Sequence, residues 1–119
     1  MPAHRPPHRV ILKHPCEIMV PEKQGEYYYL TYHGLEIIND GAPPPVCRLP
    51  KGAIFSIDLL RVGTAGGMIR VYARGSVNAR AQEYPVEMYL HIAENPGILQ
   101  AVYDEISKDS NRFWTVCKP

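Results

Sequence analysis

Residues 53–74 read AIFSIDLLRVGTAGGMIRVYAR, two apolar runs on either side of a glycine-rich segment. The runs, 53–62 and 68–74, are rich in the β-branched and aliphatic side chains that strands favour. Glycines between two such runs supply the backbone freedom of a tight loop, so GTAGG at 63–67 indicates a β-hairpin. We therefore expect two antiparallel strands in the middle of the chain.

Three further segments have the composition of strands. Residues 10–20, VILKHPCEIMV, are interrupted by a proline, which predicts two short strands or one bulged edge strand. Residues 27–38, YYYLTYHGLEII, are dense in tyrosine, leucine and isoleucine. Residues 85–93, PVEMYLHIA, alternate apolar and polar side chains, and the apolar set predicted to face the core is Val86, Met88, Leu90 and Ile92.

A single helix is predicted near the C-terminus. Asn95 and Pro96 are residue types that cap and begin helices, and the apolar residues after them recur with helical spacing. Residues 113–117, FWTVC, suit a last short strand, whereas 42–52, APPPVCRLPKG, contain too much proline for regular structure. The predicted fold class is α+β, a mainly antiparallel β-sheet of five to six strands with one amphipathic helix packed on one face.

Size and composition are those of one globular domain. The chain has 119 residues, of which 45% are hydrophobic and 21% charged. Residues 1–9 are rich in proline, histidine and arginine, so we expect a flexible N-terminal arm there. The remainder, 10–119, is predicted to form a single domain.

Charge and cysteine content bear on partners and compartment. The formal net charge is +1, which gives no overall attraction to nucleic acid or to an anionic membrane. No apolar stretch approaches the length of a membrane span. Three cysteines at wide spacing do not resemble a secreted disulfide framework, so we expect three reduced thiols in a cytoplasmic protein.

No sequence motif indicates catalysis or a cofactor. The metal motifs C-x-x-C and H-E-x-x-H are missing, and GTAGG does not precede the helix that a phosphate loop requires. Cys16 has His14 two residues away, but a buried structural cysteine is the favoured interpretation. We therefore predict no catalytic residue, no metal and no cofactor, and favour a protein that is not an enzyme.

The most organised polar feature is the sheet face opposite the core. Strand alternation predicts that Ser56 and Asp58 lie on this face together with the apolar Ile54, Leu60 and Val62. Arginine and tyrosine dominate the rest of the face, and these residue types are enriched at the energetic centres of interfaces. The candidate ligand-binding or interface residues are Asp58, Arg70, Tyr72, Arg74, Glu87, Tyr89 and His91.

Three functions are compatible with the sequence. The favoured one is a small non-enzymatic interaction protein that self-associates through this Tyr/Arg-rich face as a dimer or a dimer of dimers, because one helix covers only part of a sheet. The alternative is a small-molecule-binding protein or enzyme with a pocket between helix and sheet. A weak nucleic-acid binder is disfavoured, since acidic residues cancel the basic surplus that phosphate binding requires.

Overall fold

The computed structural model describes residues 8–21, 27–32, 44–65, 68–90 and 98–117. Within these residues the chain forms a mixed sheet of eight strands and one α-helix, which confirms a sheet-dominated α+β fold. In chain order the elements are β1 (His8–Leu12), β2 (Cys16–Met19), β3 (Tyr28–Tyr32), β4 (Cys47–Leu49), β5 (Ile54–Ala65), β6 (Met68–Ala79), β7 (Gln82–Tyr89), α1 (Ile98–Ile106) and β8 (Trp114–Val116).

The sheet is curled. Its strand order is β4-β2-β3-β7-β6-β5-β1-β8, and neighbouring strands are antiparallel except for the parallel pair β3–β7. A flat sheet would separate β1 from β2 by about 24 Å, at roughly 4.8 Å per strand. Residues 13–15, which join these two strands, reach only about 14 Å at roughly 3.5 Å per residue. The ends of the sheet therefore approach each other, and the sheet forms a half-barrel.

The strand count is eight rather than the predicted five to six, for two reasons. Pro15 lies between β1 and β2, which pair with different neighbours. The segment 42–52, predicted to lack regular structure, contains β4, where Cys47 and Leu49 are buried and Arg48 is exposed. The residues between the prolines of this segment retain the N–H groups that a sheet ladder needs, so a short strand fits there.

Several predictions fall wholly or partly outside the described residues. The predicted arm 1–9 is described only at His8 and Arg9, which belong to β1. The strand predicted over 27–38 is described from residue 27 to residue 32, where β3 confirms its first half. The helix-capping pair Asn95 and Pro96 is also outside, and α1 confirms a helix near the C-terminus over Ile98–Ile106.

The central hairpin is confirmed, and its second strand, β6, continues as far as Ala79. β5 and β6 pair antiparallel up to Ala65 opposite Met68. β6 continues through Gly75, where a Cβ would collide with the carbonyl oxygen of Ser56, so only glycine fits this close approach. β6 then returns as β7 through a two-residue turn at 80–81 with φ angles of 51° and 61°. Two positive φ angles are typical of a type I′ hairpin turn.

A β-bulge at Asp58 changes which side chains of β5 face the core. Ile57 lies opposite Gly75 and Leu59 lies opposite Arg74, so Asp58 is an extra residue without an opposite partner. Beyond the bulge, Leu59 and Arg61 share the outer face with Arg74, whereas Leu60 and Val62 share the inner side of the sheet with Ala73 and Val71. The prediction that Leu60 and Val62 lie on the outer face was wrong, because an inserted residue reverses the alternation.

The core lies inside the curl of the sheet. Val86, Met88 and Leu90 are fully buried there, as their alternation predicts, and Val102 of α1 belongs to the same cluster. The buried Asn111 joins the end of the helix to β8, since its Oδ1 accepts hydrogen bonds from the backbone N–H groups of Phe113 and Trp114. Among the described residues, no helix is both long and apolar enough to cross a membrane. The largest buried side chains are Trp114, Phe55, Phe113, Leu12, Ile18 and Leu30.

Candidate functional site

Four neighbouring strands present a cluster of arginine and tyrosine side chains on the outer surface of the sheet. Strand pairing brings them together, since Arg74 lies opposite Glu87, Tyr72 lies opposite both Tyr89 and Arg61 on its two flanks, and β3 adds aromatic residues beside Glu87. We call this surface the Arg–Tyr face, and its members are Tyr27, Tyr29, Arg61, Arg70, Tyr72, Arg74, Glu87 and Tyr89.

A buried carboxylate holds the face together. Glu87 is only 6% exposed, although it lies on the outer side of the sheet. Arg61 donates from Nη2 to Oε1 over 2.6 Å and from Nε to Oε2 over 3.1 Å. Arg74 donates from Nη2 and Nε to Oε2 over 2.7 Å and 3.0 Å. The two guanidinium groups thus cover both carboxylate oxygens and shield them from water.

The two arginines keep Glu87 ionised. Burial by itself raises the pKa of the Glu87 carboxyl, but hydrogen bonds from Arg61 and Arg74 and their positive charges outweigh burial and hold that pKa below its ordinary value. An ionised carboxylate whose oxygens both accept strong hydrogen bonds has little basicity left for proton transfer. Glu87 therefore organises the face rather than acting as a general base.

Each arginine of the face lies over a tyrosine ring. The guanidinium carbon of Arg61 is 4.4 Å from the ring centre of Tyr72, and that of Arg74 is 4.3 Å from the ring centre of Tyr27. Arg70 lies 5.5 Å from the ring centre of Tyr89. Tyr72 and Tyr89 also contact each other, with ring centres 5.5 Å apart. Such cation–π contacts orient the guanidinium planes over the aromatic rings.

The Arg–Tyr face has a surplus of positive charge. It combines three guanidinium groups with the single carboxylate of Glu87, so two positive charges are uncompensated among its residues. The surplus is concentrated at Arg70, which lacks the contact with Glu87 that Arg61 and Arg74 make. Within the part of the chain that the structure describes, the buried Nε of Arg70 has no hydrogen-bond acceptor. Leaving a buried donor without an acceptor costs about 1–3 kcal/mol.

The structure brings together five of the seven residues predicted from the sequence, namely Arg70, Tyr72, Arg74, Glu87 and Tyr89. Asp58 is exposed in the bulge of β5 instead of contributing to the cluster. His91 lies outside the described residues.

Sequence reasoning missed three members of the face. Arg61 reaches the outer face only because of the bulge, which strand alternation did not predict. Tyr27 and Tyr29 belong to the face because β3 pairs in parallel with β7, which nothing in the sequence indicated. The signal that was available is the tyrosine run itself, since such a run is typical of a half-buried contact surface.

A second feature of the outer surface is an open groove of about 530 Å³. Arg9, Arg48 and Arg80 line it together with Ser56 and Asn78. The groove lies beside the turn between β6 and β7, away from α1, so it does not correspond to the predicted pocket between helix and sheet. Its Arg48 is already paired with Glu17 over 3.0 Å.

The structure separates the cysteine and histidine that lie close in sequence. The thiol of Cys16 donates to the backbone carbonyl of His14 over 3.3 Å, while the imidazole Nε2 of His14 lies 3.0 Å from the carbonyl oxygen of Arg112. Burial raises the pKa of Cys16 to about 12, so its thiol stays protonated. The pair therefore lacks the thiolate and the adjacent base of a cysteine nucleophile.

The described residues contain no group of three or more histidine, cysteine, aspartate or glutamate side chains placed to hold a metal ion. The sequence matches no protein-family profile, and searches of curated proteins and of solved structures returned no significant match. The functional argument therefore rests on the geometry and charge of the Arg–Tyr face.

Proposed function

We propose that this chain is a non-enzymatic interaction protein whose Arg–Tyr face binds an acidic segment of a partner protein. The observation that carries the proposal is the excess of guanidinium over carboxylate groups on an aromatic surface, where the described residues provide no anionic partner for Arg70. Arginine and tyrosine are the residue types most enriched at interface hot spots. Carboxylates match the planar, two-pronged donor edge of a guanidinium group.

Charge argues against the face binding a second copy of itself. A face-to-face twofold contact would place three guanidinium groups opposite three others, and both Glu87 carboxylates would already be occupied by Arg61 and Arg74. Like charges placed opposite each other in an interface cost several kcal/mol, by a rough estimate. An anionic partner avoids this repulsion, so we assign the face to a different protein.

An acidic protein segment fits better than nucleic acid. Binding to a phosphate backbone depends on several arginine or lysine contacts at once, whereas two of the three arginines here are committed to Glu87. The neighbouring outer surface also carries the exposed acidic residues Asp58 and Glu83. The net charge of the whole chain is only +1, so no long-range attraction to a polyanion compensates.

A titration with a labelled acidic peptide tests this function. We expect fluorescence anisotropy of a fluorescein-labelled oligoglutamate peptide to report binding to the wild-type protein and a loss of about tenfold or more for Arg70→Ala, since a hydrogen bond to a charged group contributes roughly 1.5–3 kcal/mol. The matched control is Arg112→Ala, which removes an exposed arginine outside the face and should change affinity little.

Two results would contradict the proposal. Equal losses for Arg70→Ala and Arg112→Ala would mean that only total charge matters. Tighter binding of a single-stranded oligonucleotide of equal charge than of the peptide would assign the face to nucleic acid instead.

A further inference from the structure

Among the described residues, the edge of β5 that faces away from β6 has no partner strand beyond Ile57. β1 pairs with β5 only from Ile54 to Ile57, and the described residues provide no strand beside the rest of β5. The unpaired edge begins at Asp58 of the bulge, and its regular part runs from residue 59 to residue 65. An unpaired strand edge presents backbone donors and acceptors that another strand can satisfy.

The backbone groups of Val62 point toward this open edge. Leu90 donates its N–H to the carbonyl oxygen of Val71, so Val71 directs its N–H and C=O toward β7. Val62 lies opposite Val71 and is therefore in a non-hydrogen-bonded pair with β6. Its N–H and C=O must then face away from β6, and those of Leu60 and Thr64 do the same because the direction alternates along a strand.

Beyond the bulge at Asp58, the edge lacks the usual features that prevent strand addition. Residues 59–65, LLRVGTA, contain no proline and no lysine, and the charge of Arg61 is turned toward Glu87. Leu60 and Val62 are 36% and 45% exposed on the inner side of the sheet. A partner strand would cover these side chains and satisfy the backbone in one contact.

We propose that this edge pairs in antiparallel fashion with the same edge of a second copy, around a twofold axis at Val62. The occupant is a second copy because an antiparallel pair of identical strands is self-complementary under a twofold axis. A twofold axis at Val62 pairs every residue from 59 to 65 with a residue of the other copy. It places Leu60 opposite Thr64 of that copy. It also places Arg61 opposite Gly63 of the other copy, so the two Arg61 side chains do not face each other.

The chain's own N-terminus is the competing occupant, and its chemistry does not suit the edge. β1 runs antiparallel to β5 and begins at His8, opposite Ile57. The two residues before it in the sequence are Pro6 and Pro7, which carry no N–H to donate to a neighbouring strand. A strand continued through these prolines would therefore offer the edge of β5 fewer donors than a second copy of residues 59–65 would.

Sedimentation equilibrium of the full chain tests the dimer. We expect twice the monomer mass of 13.4 kDa for the wild type. Val62→Lys should raise the dissociation constant about tenfold or more, because the introduced ammonium group would face its own symmetry mate. The control is Val20→Lys, which changes a side chain of the same 45% exposure at a distant position and should leave the dimer intact. A wild-type monomer, or an equal response to both substitutions, overturns the proposal.

Thiol crosslinking tests the register. Val62→Cys should give covalent dimers with a short bismaleimide reagent, since the two introduced thiols lie directly opposite each other. Thr64→Cys should not, because position 64 lies opposite position 60 of the other copy. Position 64 of that copy is four residues further along the strand, about 13 Å away. The wild-type protein reports the background from Cys117, the most accessible native thiol. Efficient crosslinking through position 64 but not 62 would refute the twofold axis at Val62. Neither experiment depends on the Arg–Tyr face, so the two proposals fail independently.

Discussion

Replacing Glu87 by glutamine is expected to destabilise the protein by about 2–3 kcal/mol. Removing one partner of a buried ion pair costs about 3–5 kcal/mol, because the other charge is left uncompensated. The Arg61 and Arg74 side chains are 38% and 27% exposed, so water re-solvates part of their charge and lowers the cost. Glutamine keeps the shape of the side chain, so the change in unfolding free energy reports charge and hydrogen bonding rather than lost packing.

Urea denaturation at neutral pH measures this difference. The matched control is Glu83→Gln, which makes the same chemical change at an exposed position of β7 and should alter the unfolding free energy by less than about 0.5 kcal/mol. If the two variants have the same denaturation midpoint, Glu87 contributes no more than a solvent-exposed carboxylate. Our account of the Arg–Tyr face as a network organised by Glu87 would then be incorrect.

The same substitution should change the response of stability to acid. The folded-state pKa of Glu87 lies below its ordinary value of 4.5, so its stabilising effect is complete above that pH. As the pH falls further, through the folded-state pKa, Glu87 becomes protonated and the stabilisation is lost. Glu87→Gln should therefore lose less unfolding free energy than the wild type as pH falls below about 4.5. Parallel acid profiles for the two proteins would contradict the depressed pKa.

Three further predictions follow from the core and its connections. Leu90→Ala should cost about 2–5 kcal/mol in urea denaturation, the usual loss for truncating a fully buried leucine, and a loss below 1 kcal/mol would place it outside the core. Asn111→Ala should cost about 2–4 kcal/mol because it leaves the buried N–H groups of Phe113 and Trp114 unpaired, whereas Asn111→Asp keeps their acceptor and should cost less. Cys16 should resist iodoacetamide in the folded protein, since its pKa is raised to about 12. After unfolding without reductant, all three cysteine thiols should react in a thiol titration, and a count below three would show a disulfide.

The sequence predicted those elements whose signals are local. The hairpin of β5 and β6 follows from the glycine-rich loop between two apolar runs, and the buried side of β7 follows from strict alternation. The turn at 80–81 was not predicted, because Arg80 and Ala81 are not residues that usually adopt positive φ. Arg80 and Ala81 adopt this geometry because the long pairing of β6 with β7 requires the chain to reverse there.

The burial of Glu87 could not be predicted from the alternation of side chains along its own strand. Alternation correctly places Glu87 opposite the core, and from that position alone its removal is expected to cost far less than Leu90→Ala. The structure revises this expectation, because Arg61 and Arg74 cover Glu87 from two different strands. Neither contact can be inferred without the strand order and register, which depend on the whole sheet.

The bulge at Asp58 explains how the outer face can contain a buried carboxylate at all. Without the extra residue, Arg61 would point toward the inner side of the sheet, and Leu60 and Val62 would point outward. Glu87 would then keep Arg74 as its partner but lose the two hydrogen bonds that Arg61 donates. The carboxylate would then lose one of the two guanidinium groups that offset its burial and hold its pKa below the ordinary value. The same insertion turns Leu60 and Val62 to the inner side beyond the end of β1, where no described strand covers them. One added residue in β5 therefore produces both the charged face and the exposed apolar edge. The face is suited to an anionic partner, and the edge is suited to another strand.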